Sequence, residues 1–156
     1  MMMRILLLIT IISGFIMPIN CISHAKREES NVDVYIKLAD ECHAKKDYAQ
    51  AIAMFTKAIE INPDNYYCYY GRGKSRLLSK GDMQQISEDF KKALEIALKI
   101  GYNDATFYYN LGIIFDESLD NPSIAIKCYN KYLELTPKDN PDCPKIEERI
   151  RKGGLR

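Results

Sequence analysis

The sequence predicts an all-α fold, a stack of three helix pairs closed by a short C-terminal capping helix. Three observations carry this reading. Apolar residues recur three and four places apart over most of the chain, and strand-like alternation is absent. Small residues return at matched places: Ala39, Gly73 and Gly112 in the first helix of each pair, and Ala51, Ala58, Ala93 and Ala125 in the second. Ala39 and Gly73 stand 34 residues apart, a period that marks arrays of stacked helix pairs.

The elements follow in order. Arg4 precedes an apolar run, Ile5 to Met17, that Pro18 breaks, the layout of a secretory signal. Ser23-His24-Ala25 puts small residues one and three places before Lys26, so residues 1–25 are expected to form a leader cleaved after Ala25. Two alternatives stay open. One is an uncleaved membrane anchor, since no charge falls from Ile5 to Ala25. The other is a lipid-modified Cys21, for which Pro18-Ile19-Asn20 is a poor lead-in. All three imply export, to a bacterial periplasm or the extracellular space, with membrane attachment through the N-terminal segment in two of them. Residues 26–31 are polar and are expected to form an exposed lead-in.

Pair one covers 32–65, with Tyr35, Leu38 and Cys42 on its first helix and Tyr48, Ile52, Phe55 and Ile59 on its second. Pair two covers 66–104, broken at Lys80-Gly81-Asp82. Pair three covers 105–140, with Pro122 suited to a first helical turn. Residues 141–156 form the cap, in which Ile146 and Ile150 should face inward. Small residues where paired helices cross allow axes to approach within about 8 Å, and about three pairs are the least that bury a continuous core.

These places resemble the tetratricopeptide repeat (TPR), and the resemblance implies that the three pairs form a right-handed superhelical stack. Pair one reads Tyr35-x-x-Leu38-Ala39-x-x-Cys42, then Ala51-x-x-x-Phe55-x-x-Ala58 and Asn62-Pro63. Pair three reads Tyr108-x-x-Leu111-Gly112-x-x-Phe115, then Ala125-x-x-x-Tyr129-x-x-Tyr132 and Thr136-Pro137. Pair two keeps Tyr69, Gly73, Phe90 and Ala93 but departs at Arg72, Arg76 and Ile86, and Tyr132 stands where a small residue is usual. Gly73 and Gly112 are 39 residues apart. The surplus is assigned to one residue at Ser79–Gly81 and four around Leu98–Asn103, with one more at the Ser118–Asn121 turn, and insertions at turns cost little closure entropy.

The resemblance implies a concave groove, lined by the first helix of each repeat, that receives a peptide. Carried over place by place, its lining is Ile36, Asp40 and His43; Tyr67, Tyr70, Lys74 and Leu77; and Tyr109, Asn110, Ile113 and Asp116. Tyrosine suits such a surface, with large contact area, few rotors and a polar tip. Tyr35, Tyr69, Tyr108 and Tyr129 fall instead on packing places. Family members that grip a C-terminal carboxylate use lysine, arginine and asparagine where this chain has Ile36, Asp40, Gly71, Thr106 and Asn110, and only Asn110 fits.

Other functions are disfavoured. Hydrophobic residues make up 47% and charged residues 28% of the chain, so it should fold. Lysine and arginine number 22 against 21 acids, which gives no concentrated basic surface for nucleic acid. The histidines are His24 and His43, too few for a His-based relay or a His-His metal pair. Gly71-Arg72-Gly73-Lys74-Ser75 lacks the two glycines five apart of a phosphate loop. No cofactor, metal or small-molecule substrate is therefore expected, and no enzyme. Cys42 falls on a core place and reads as a small buried hydrophobe; the alternative is a disulfide with Cys68 on the neighbouring first helix. The function expected is an exported module that binds a protein or peptide. Its rival is a structural scaffold of an envelope complex that self-associates, with Tyr132 as an end contact, or works through its convex face.

Overall fold

A computed structural model describes residues 19–153, so the expected leader, as far as residue 18, lies outside the described residues. Among the described residues, seven α-helices and one π-helical turn follow one another: α1 Ile19–Ala44, α2 Tyr48–Ile61, α3 Tyr66–Leu78, α4 Met83–Lys99, α5 Ala105–Ile113, the π-turn Ile114–Ser118, α6 Pro122–Leu135 and α7 Cys143–Gly153. No strand occurs among the described residues. Helices pack as antiparallel neighbours α1/α2, α3/α4 and α5/α6, with α2 against α3 and α7 against α6. The result is an all-α superhelical stack.

Helix starts are set chemically. Asp47, Asn65, Asp82, Asp104 and Asn121 each accept a backbone N–H in the first turn of α2 to α6, satisfying donors that have no partner inside the helix. Helix ends reuse one device. Lys46, Lys80 and Gly101 adopt φ of 62°, 57° and 66°, and the next amide donates back five residues: Asp47 to Cys42, Gly81 to Arg76 and Tyr102 to Ala97.

Four differences from the sequence expectation emerge. First, the expected lead-in 26–31 is helical: α1 runs unbroken from Ile19, because Ala25, Lys26, Arg27, Glu28 and Glu29 are good helix formers. Second, the surplus residue of repeat three sits inside the helix and not in the turn. The π-turn absorbs it, Leu119 donating to the Ile114 carbonyl and Asn121 to that of Phe115. Third, Leu38 is 40% exposed, although its counterpart Leu111 is fully buried, since no earlier repeat packs on it among the described residues. Fourth, Tyr132 is buried beside Tyr109, ring centroids 5.4 Å apart, and is no end contact.

Repeat two carries extra length in its second helix. α4 has 17 residues against 14 in α2 and α6. Ile146 is buried and Ile150 packs on the same cluster, so α7 is the cap. Arg149 Nη1 ties it down, donating to Asp116 at 3.1 Å and to Glu117 at 2.9 Å.

Two cores result. The larger joins repeats two and three with α7 and includes Ile86, Phe90, Phe107, Tyr108, Leu111, Phe115, Tyr129 and Ile146. The smaller holds repeat one and is built from Val32, Ala39, Ala51, Phe55, Ala58 and Cys68.

Candidate functional site

α1 and α3 lie side by side, and between them opens a recess of about 110 Å³ lined by Asp40, His43, Phe55, Tyr67, Tyr70, Gly71 and Lys74. Gly71 makes room for it: a Cβ there would collide with the ring of Phe55. That ring, fully buried, forms the floor. Five of the eleven sequence-expected groove residues meet here: Asp40 and His43 from α1, and Tyr67, Tyr70 and Lys74 from α3.

Their polar atoms form a wall. The Tyr67 hydroxyl donates to Asp40, 3.0 Å from each carboxylate oxygen, and burial together with this carboxylate pushes the phenol up to about 12. Ser75, buried, donates to the Gly71 carbonyl at 2.9 Å, which leaves its oxygen to accept from His43 Nδ1, also at 2.9 Å. That network assigns the Nδ1–H tautomer and leaves Nε2 with the lone pair. Burial, and then the charge of Lys74, lowers the His43 pKa against the opposing pull of Asp40, so the imidazole is neutral at pH 7. Tyr48 packs edge-on against it at 5.5 Å. The ammonium of Lys74 is exposed. The recess therefore offers an aromatic floor, a carboxylate engaged by a tyrosine, and one cation open to solvent.

The expected residues are not all placed alike. Tyr70 points partly into the core, with its ring 5.8 Å from Phe90 and 5.4 Å from Phe107. Burial raises its pKa, while a hydrogen bond with the Asn110 side chain lowers it. Tyr109 lies on Tyr132. Ile36, Leu77 and Ile113 are half-buried packing residues on the edges of the cores. Asp116 is engaged by Arg149. Of the eleven expected residues, Asp40, His43, Tyr67, Tyr70 and Lys74 thus line the α1/α3 recess, whereas Ile36, Leu77, Tyr109, Ile113 and Asp116 pack or pair outside it and Asn110 is exposed.

The candidate pair Cys42 and Cys68 is not joined in the structure. Cys42, Cys68, Cys128 and Cys143 are free thiols. Cys68 is a core residue among Ala39, Phe55 and Ala58, and burial pushes its thiol up to about 12, the behaviour of a hydrophobe.

One charged cluster was missed. Asp89, 3% exposed, accepts from Arg72 Nη2 at 2.7 Å and from Arg76 Nη1 at 2.6 Å, while Arg72 Nη1 donates to Thr56 across the repeat boundary. Arg72 and Arg76 stand out in the sequence as departures; Asp89 is their missing third member. The available signal was the coincidence of charges at three apolar places of one repeat, since Met54 and Cys128 are its counterparts.

Helix pairs stacked around small residues, with a recess on the inner helices, define the helical-repeat class. The chain is a tetratricopeptide-repeat protein: the family described as Tetratricopeptide repeat matches residues 32–65 and again residues 105–139. Human protein O-mannosyl-transferase TMTC3 is 34% identical over 116 residues, 73% of this chain but 12% of that protein. The chain thus spans about an eighth of that relative's length. Among solved structures, the Arabidopsis OM64 TPR domain superposes with a TM-score of 0.60 at 25% identity, over 80% of this chain and 98% of that one. The first TPR of Spaghetti (RPAP3), bound to the HSP90 peptide SRMEEVD, gives 0.61 at 19% identity, over 81% and 92%. Among the described residues no helix is long and apolar enough to cross a membrane, and no group of three or more His, Cys, Asp and Glu is placed to hold a metal.

Proposed function

We propose that the chain is an exported interaction module that binds a peptide segment of a partner protein in the α1/α3 recess. The observation that carries this is the convergence of Tyr67, Lys74, Asp40 and His43 over the Phe55 floor. An anchor side chain of the peptide rests on that floor, its backbone is fixed by the tyrosine and carboxylate, and Lys74 favours a neighbouring acidic group. The likeness to a TPR domain that holds a peptide supports the reading.

The test is site-directed photo-crosslinking in the native host, with the crosslinker at position 74 or, as control, at position 57 on α2. A distinct adduct from position 74 that Tyr67→Ala abolishes is expected. The same adduct from both positions, or one indifferent to Tyr67, sinks the assignment. Tyr67 is preferred for substitution because it is exposed, whereas Tyr70 and Tyr109 also pack the interior.

Export is part of the proposal and rests on Arg4, the apolar run Ile5–Met17 and the small residues before Lys26. The N-terminal residue and mass of the mature chain test it: Lys26, a lipidated Cys21 and an intact Met1 each imply a different location.

A scaffold role is the second reading, favoured by Val34 and Leu38, both exposed at the open end of the stack. Sedimentation of the mature chain with and without Leu38→Glu distinguishes it: a monomer in both cases removes self-assembly.

A further inference from the structure

The surplus of repeat two has an outcome on the other side of the molecule. Between α4 and α6, in the layer of second helices, lies a groove of about 560 Å³, larger than the α1/α3 recess. Its apolar part comes from Leu94 and Leu98 of α4 and Ile124 of α6; its rim comes from Lys91, Lys99 and Lys127. Leu94 and Leu98 lie four apart, in a row along one helix face. The three lysines are exposed and make no ion pair among the described residues. Glu95, the acid at the rim, is paired with Lys92 at 2.9 Å.

We propose that this groove is a second binding site and that it takes an acidic amphipathic helix from a partner protein. Lys91 and Lys99 are eight residues apart, which on a helix is about 12 Å, or two turns. A ligand helix with apolar residues at i, i+3 or i+4 and i+7 can seat them between α4 and α6 while carboxylates on its flanks reach all three ammonium groups. The apolar floor favours a protein over an anionic bilayer: Leu94 is 5% exposed and sits below the lysine rim, where a protruding side chain reaches and a flat lipid surface does not. It favours a protein over nucleic acid because the lining has no aromatic ring on which a base can stack. The site is independent of the recess on α1 and α3 and shares no residue with it.

The test uses the full-length chain and a fluorescent synthetic helix with leucine on one face and glutamate on the other. Its controls are the same helix with lysine for glutamate, and vesicles of phosphatidylglycerol. Expected are binding of the glutamate helix that weakens with salt, and methyl NMR shifts confined to Leu94, Leu98 and Ile124 and their neighbours. The triple variant Lys91→Glu, Lys99→Glu, Lys127→Glu should bind at least about tenfold more weakly with an unchanged melting temperature. Tyr67→Ala with Lys74→Glu should bind as the unaltered chain does, which separates this site from the recess. Equal binding of the two helices, shifts elsewhere on the surface, undiminished binding by the triple variant, or capture of vesicles without the glutamate helix each overturn the proposal.

Discussion

Gly73 and Gly112 fill the same place in successive repeats, but their neighbours leave different room. A Cβ on Gly112 would run into the ring of Tyr129, which is fully buried and hydrogen-bonded to both Asp116 and Arg149, so the ring has nowhere to retreat. A Cβ on Gly73 would meet Phe90 and the Cβ of Asp89 at 3.2 Å, a contact relieved by a few tenths of an ångström, and Ala39 already fills that place in repeat one. Gly112→Ala should therefore destabilise by about 1 to 3 kcal/mol. Gly73→Ala should change stability by less than about 1 kcal/mol, since the helix propensity gained offsets the crowding. Paired urea titrations check both, and equal losses would refute the distinction. His43 gives a second expectation. Its folded pKa is depressed below the ordinary 6.5, so the unfolded chain binds the proton more readily. The sign follows: this contribution is complete above about pH 6.5 and is lost as pH falls through the depressed value. His43→Gln should flatten the decline of melting temperature between neutral pH and pH 5, and an undiminished decline would assign it to other groups.

Helices and their order were legible because periodicity and small residues report on local geometry. The extra length of repeat two shows in the sequence as the 39 residues that separate Gly73 from Gly112. Other features depend on contacts between elements. The π-turn leaves the same residue count as a longer loop, and only packing of Phe115 on one side and Asp116 toward α7 on the other decides where the extra residue goes. The placement of the expected groove residues depends on packing for the same reason: Leu77 and Ile113 carry apolar side chains that either a ligand or a neighbouring helix satisfies, and both pack against the core. The ion cluster is the clearest case. Arg72 and Arg76 on α3 and Asp89 on α4 each look unfavourable alone, and together they bind two helices. Asp89→Asn should cost on the order of 3 kcal/mol, because two half-buried guanidinium groups lose their counter-charge. Arg72→Leu should cost less, since Arg76 still neutralises Asp89 and leucine is the residue of the other two repeats. Thermal melts of the two variants rank them, and the reverse order would show that the Arg72 contact to Thr56 dominates.

In the whole molecule, each repeat is stabilised by its own pair and by the neighbours it stacks on. Repeat three shares a hydrophobic core with repeat two and packs on α7; repeat two joins repeats one and three; repeat one leans on repeat two alone among the described residues. The cores differ accordingly: repeat one rests on few large side chains, chiefly Phe55, while repeats two and three share a dense set of aromatic and aliphatic residues. The links across the first boundary are Phe55 against Gly71, Tyr67 to Asp40, His43 to Ser75 and Arg72 to Thr56. Three of these four involve residues at or beside the α1/α3 recess, so opening of repeat one also dissolves that recess. Such an arrangement opens locally from the less populated core. Native-state hydrogen exchange should find the amides of α2 less protected than those of α4 and α6. Phe55→Ala, which removes about 3 to 5 kcal/mol of packing at a buried ring, should speed exchange in α1 and α2 while leaving α6 close to its original protection. A peptide held in the recess would bridge α1 and α3 and should raise protection in repeat one first. Uniform protection across the three repeats, or an equal loss in α6 on removing Phe55, would mean that the stack unfolds as one unit and that binding at its first boundary is felt equally everywhere.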